Sequence, residues 1–92
     1  MHRVIVLYDE VPDAGSYAEH VELCHKVPGS TFRHGKVFGS PMGEAPHKYY
    51  AEFEFADEDA FQAAVRGEEF MAAGKDVAAR GLRPTIEFAQ LG

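Results

Sequence analysis

Apolar residues follow different spacings in successive stretches of the chain, and each spacing predicts an element. Residues 3 to 8, Arg-Val-Ile-Val-Leu-Tyr, are β-branched and aromatic without polar alternation, which predicts a central strand covered on both faces. The turn residues Asp9-Glu10-Val11-Pro12-Asp13 end it, and from about Ala14 to Val27 the apolar groups recur at helical spacing. At about 100° per residue, Tyr17, His20, Val21, Cys24 and Val27 share one side while Glu19, Glu22 and Lys26 share the other. His20 and Cys24 therefore point inward. Pro28-Gly29 stops the helix, and Ser30 to Phe38 reads as a strand in which Phe32, His34, Lys36 and Phe38 alternate against Thr31, Arg33 and Val37.

The stretch Gly39-Ser-Pro-Met-Gly-Glu-Ala-Pro46 has the composition of a hairpin loop that can flank a pocket. His47 to Phe55 follows with period-2 alternation, Tyr49, Ala51, Phe53 and Phe55 on one face and Tyr50, Glu52 and Glu54 on the other. Asp57 caps a helix bearing Phe61, Ala64 and Val65. Gly67 interrupts it, and a second helical piece from Glu68 to Arg80 presents Phe70, Ala73 and Val77 before Gly81 closes it. Thr85 to Ala89 is the last strand. This order predicts a single α+β domain over residues 1–92, a ferredoxin-like βαββαβ fold with both helices on one face of a four-stranded antiparallel sheet. Nothing in the chain remains to cover the other face, which predicts a homodimer packed sheet to sheet as a barrel. Glu52 or Glu54 is then expected near the barrel or its rim, balanced by Lys36 or Arg33.

Length and charge narrow the function classes. A chain of 92 residues buries a thin core and gains from a second copy. Fifteen acids against nine Lys and Arg leave a net charge of -6, which argues against nucleic acid and anionic membrane surfaces. The longest apolar run, Val4 to Tyr8, is too short to span a bilayer, and no basic, then apolar leader opens the sequence, so a cytoplasmic protein is expected. The single Cys24 excludes an internal disulfide.

Among residues that carry chemistry, His20 stands out. An imidazole on the inner helix face, within a turn of Tyr17 and Cys24, exchanges protons near neutral pH, although a core histidine satisfied by one carbonyl has the same pattern. Cys24 is either a nucleophile activated by that imidazole or a small buried hydrophobe. Tyr8, Tyr17, Tyr49 and Tyr50 offer phenolic donors for a carbonyl or enolate oxygen. His20 and His25 lie about 140° apart on a helix, so no metal site is expected, and the glycines match no phosphate-binding fingerprint. No cofactor is expected.

The segment Tyr17-Ala-Glu-His20-Val-Glu-Leu23-Cys-His-Lys-Val27-Pro28-Gly29 resembles the helix of EthD-like proteins, in which a His is followed by a Pro-Leu pair and then a Pro-Gly. His20, Leu23 and Pro28-Gly29 take those places, Glu22 stands where proline is usual, and His25 is the other histidine of the helix that the motif can select. The paired Tyr49-Tyr50, the Glu52-Phe53-Glu54-Phe55 strand and an aspartate late in the second helix, here Asp76, extend the resemblance over nearly the whole chain. It implies a dimeric α+β barrel, the fold of polyketide cyclases, muconolactone isomerases and small monooxygenases, in a family linked to ethyl tert-butyl ether degradation. Asp76 then orients a distant partner or binds an amide, or is simply a surface acid.

Two functions fit. One is a cofactor-free catalyst of small-molecule catabolism, an isomerase, cyclase or monooxygenase-like protein, with His20 as acid or base on a small apolar or aromatic carbonyl compound. Tyr17, Cys24 and Asp76 would contact the ligand, and Phe32, Phe53, Phe61, Phe70 and Val77 would wall the pocket. The other is a non-catalytic dimeric module that binds a hydrophobic metabolite or supports a partner enzyme. Acylphosphatase and RNA-recognition chemistry do not fit, because Asp9 to Asp13 is acidic where the former needs an anion loop and Glu52 and Glu54 occupy the face where the latter needs aromatics.

Overall fold

The alternation from Tyr49 to Phe55 sets the floor of the molecule. In the computed structural model, which describes residues 1–92, Ala51, Phe53 and Phe55 lie beside Val4, Val6 and Tyr8 and are buried beneath the helices. The elements are β1 (His2–Tyr8), α1 (Ala14–His25), β2 (Ser30–Lys36), β3 (Tyr49–Phe55), α2 (Glu58–Val65), α3 (Glu68–Ala79) and β4 (Thr85–Gln90). The strands form one antiparallel sheet in the order β2-β3-β1-β4, the ferredoxin-like arrangement, with the second helix broken at Gly67 into α2 and α3. The molecule is only 16 Å deep, one layer of helices on one sheet.

Local chemistry sets the boundaries. Asp13 caps α1 by accepting from the Ser16 N–H at 3.0 Å, and Asp57 caps α2 by accepting from the Ala60 N–H at 2.8 Å. The first helix ends at His25 rather than Val27, because Pro28 disfavours helical geometry at the residue before it and Gly29 turns with φ 72°. The second strand ends at Lys36 rather than Phe38, and the third begins at Tyr49 rather than His47. A single backbone bond from Val37 to the Lys48 carbonyl, at 3.0 Å, prolongs their pairing before Phe38 swings fully into solvent.

β1 is central, as its composition predicts, but within the chain only its helix side is covered. Ile5 and Leu7 lie half-buried on the open face, opposite Glu52 and Tyr50 in register. There Arg33 donates to Glu52 at 2.5 Å, Arg3 to Glu54 at 2.9 Å and the Tyr50 hydroxyl to Glu52 at 2.6 Å, which keeps Glu52 satisfied although it is only 6% exposed. Arg33 thus balances both acids, whereas Lys36 lies on the helix side of β2 and takes no part. At the far edge, Ile86 and Phe88 of β4 face the helix side and are half or more exposed, Phe88 meeting Phe61 of α2 and Ile86 the margin of α3.

Candidate functional site

α1 and α3 run side by side over the sheet, and the register of their inner faces brings His20 against Asp76. The two are 56 positions apart in sequence, yet His20 Nδ1 lies 2.8 Å from Asp76 Oδ2. A carboxylate only accepts, so Nδ1 carries the proton and donates. The Arg80 guanidinium, one turn beyond Asp76 on the same helix face, donates to the same carboxylate at 2.8 Å and ties it to α1 through the Ser16 carbonyl, also at 2.8 Å. Arg80, and then His20, hold the Asp76 carboxyl below the usual carboxylate range against the opposing effect of burial.

With the proton on Nδ1, His20 Nε2 presents its lone pair as an acceptor. Cys24, one helical turn on, places its sulfur 3.3 Å from that nitrogen. Burial, reinforced by the Asp76 charge, pushes the Cys24 thiol up to about 12, so it remains S–H and donates weakly to Nε2. On the other side of His20 stands Tyr17, ring centroids 5.3 Å apart, its hydroxyl 3.1 Å from that of Tyr8. Burial raises the titration of both phenols, which therefore serve as donors and not as bases.

These groups open onto a cavity of about 60 Å³ between α1, α3 and the sheet. Tyr17, His20, Cys24, Phe32, Phe53 and Phe70 all line it, as do Val77 and Gly74 of α3. Asp76 does not reach it; the carboxylate stands behind the imidazole. Phe61 is elsewhere, its ring 5.5 Å from His2, 5.8 Å from Phe55 and 5.1 Å from Phe88, because α2 lies over the opposite end of the sheet. Its place as a pocket wall is corrected accordingly: helical phase gave the right face but not the level along the strands. His25 is exposed and only edges onto Phe32, so the inner histidine of α1 is His20. No three His, Cys, Asp or Glu side chains are grouped to hold a metal ion.

Sequence reasoning missed Arg80, whose spacing of four from Asp76 was the available signal. It also missed a second His–Tyr pair, His34 Nδ1 and the Tyr49 hydroxyl, 2.5 Å apart across β2 and β3.

Comparison with known proteins places this geometry in a family. The family model for the EthD domain matches residues 11–79, which carry α1, α3 and every polar group of the His20 relay up to Asp76. The chain belongs to the EthD family. This EthD-domain fold superimposes on the crystal structure of an ethyl tert-butyl ether D (EthD) family protein from Bacillus halodurans C-125 with a TM-score of 0.79, at 29% identity over 100% of this chain and 99% of that one. It is also similar to a dimeric ferredoxin-like protein of unknown function from Jannaschia sp. CCS1, with TM-score 0.68, 18% identity and 98% of each chain covered. A cofactor-independent oxygenase from Streptomyces nogalater shares the fold at TM-score 0.60 and 17% identity, over 98% of this chain and 90% of that one. No curated protein sequence matches this EthD domain significantly.

Proposed function

We propose that this EthD-domain protein is a cofactor-free proton-transfer catalyst of small-molecule catabolism, working as a homodimer on a small apolar or aromatic carbonyl compound. The observation that carries this reading is the relay Asp76–His20 ending at a lone pair on the wall of an apolar cavity. Asp76 fixes the tautomer and stabilises the imidazolium that forms, and His20 Nε2 takes a proton from the carbon next to the substrate carbonyl. The Cys24 S–H must swing aside as substrate enters, a small demand for so weak a donor. The Tyr17 hydroxyl, protonated and buried, donates to the enolate oxygen as charge develops there. The family membership and the fold shared with a cofactor-independent oxygenase support the same chemistry, since an enolate is the species common to isomerisation, cyclisation and reaction with dioxygen.

Exchange of the α-protons of phenylacetone in deuterated buffer, followed by NMR, tests the reading directly. The protein is expected to accelerate exchange, and His20→Gln to lower that acceleration by about 10²-fold or more. Exchange at the buffer rate with bound phenylacetone overturns it. That outcome belongs to the second reading, a module that binds such compounds without turning them over, which the Cys24 thiol seated on Nε2 favours.

A further inference from the structure

The ring of Tyr17 stands between two imidazoles, 5.3 Å from His20 and 5.6 Å from His34 between centroids. The cavity lies on the His20 side. On the other side a groove of about 360 Å³ runs between the start of α1 and β2, and Tyr17 walls both spaces. One flank of the groove is apolar, formed by Val11, Pro12 and Val21, and the other is polar, formed by His34, Lys36 and Tyr49. No carboxylate lines it, in a chain with fifteen acids. None of the ion pairs in the molecule uses Lys36.

The protons on this polar flank can be placed. Burial keeps the Tyr49 phenol protonated, and burial together with the nearby His25 lowers the titration of His34, whose ring is neutral near pH 7. Tyr49 therefore donates to His34 Nδ1, which leaves the ring proton on Nε2. His34 Nε2–H and the Lys36 ammonium, two positions apart on one face of β2, make a pair of donors with no internal acceptor. The cavity at His20 is far smaller than the roughly 300–1,000 Å³ of an ordinary ligand site, whereas the groove falls within that range.

We propose that the groove is a carboxylate subsite: it binds an amphipathic acid whose carboxylate sits on Lys36 Nζ and His34 Nε2–H and whose apolar end is directed past the edge of Tyr17 toward His20. This names the substrate class for the reading above and rests on it only for the reaction, not for the binding.

Phenylbutyrate and its uncharged analogue phenylbutanol are the probes, titrated into the full chain with amide-resolved NMR detection at low salt. Phenylbutyrate is expected to shift the amides of Val11, Lys36 and Tyr49 and to bind about fivefold tighter than the alcohol. Lys36→Gln, an exposed substitution that leaves the core untouched, removes that preference and brings phenylbutyrate down to the affinity of phenylbutanol. Lys26→Gln, which removes an exposed lysine outside the groove, retains it. Equal affinities, a preference that survives Lys36→Gln, shifts confined to other surfaces, or no binding of either probe at about 10 mM overturn the proposal. A carboxylate preference alongside phenylacetone exchange at the buffer rate upholds the groove and removes only the catalytic reading.

Discussion

His20 Nδ1 and Arg80 Nε donate to one and the same atom, Asp76 Oδ2, each at 2.8 Å. The imidazole and the guanidinium therefore share a single acceptor. Arg80 fixes the carboxylate in place and in charge, and His20 receives an orientation that it cannot obtain from its own helix.

Asp76→Asn removes the charge from that arrangement with little change of shape. The amide oxygen takes the place of Oδ2 and still accepts from both Arg80 Nε and His20 Nδ1, so the tautomer is kept, but the negative charge that stabilises the imidazolium is gone. Phenylacetone exchange is expected to fall by about 10-fold or more, the loss of one charge beside the imidazolium, while the circular dichroism spectrum is preserved. Unchanged exchange would show that Asp76 only tethers α3.

Arg80→Gln separates charge from orientation. The Asp76 carboxyl titrates lower in the fold than in the unfolded chain, chiefly because of Arg80. Its contribution to stability is therefore present in full above about pH 4, the ordinary carboxylate value, and is lost as pH falls through the depressed folded value. The urea midpoint of the parent should exceed that of Arg80→Gln at about pH 6, and the gap should narrow toward about pH 2. A gap that stays constant with pH would sever the link to Asp76.

Cys24 is expected to be inert. With its thiol pushed up to about 12, alkylation by iodoacetamide at about pH 8 should be about 10³-fold slower in the folded protein than in urea. Cys24→Ala should cost about 1 kcal/mol of stability and leave phenylacetone exchange within about threefold of the parent. Loss of exchange in that variant, with the fold intact, would make the thiol a reacting group after all.

The open sheet face carries the expected dimer. Ile5 lies there between Glu52 and Glu87 in register, so Ile5→Glu places three carboxylates in a row across the strands. Light scattering should report twice the chain mass for the parent at micromolar concentration and the single chain for the variant, in keeping with an interface of about 1,200 Å² or more. A monomeric parent would refute it.

The sequence made the sheet easy to read because β3 alternates strictly and Glu52 and Glu54 cannot share the helix face. Its limits are just as physical. Helical phase placed His20, Cys24, Phe61 and Phe70 inward, but phase does not fix position along the sheet, and Phe61 went to the far end over His2 and Phe55. The partnership of His20 with Asp76 depends on how α1 docks on α3, which no local pattern encodes; the aspartate was visible only through the family resemblance. His34 and Lys36 were read on the correct face of β2, yet the groove beside them exists only because α1 begins where Asp13 caps it.

Under the proposed function, Gly74 bears on the breadth of ligands the cavity accepts. It sits in the middle of α3 at the cavity wall, and a β-carbon built there would meet nothing within 4 Å. Glycine inside a helix costs about 0.5–1 kcal/mol relative to alanine, and no packing demand requires it here. A single methyl group at this position would stiffen α3 and crowd the space before His20 together, so the robustness of the fold and the tolerance of its binding site are set against each other at one hydrogen atom.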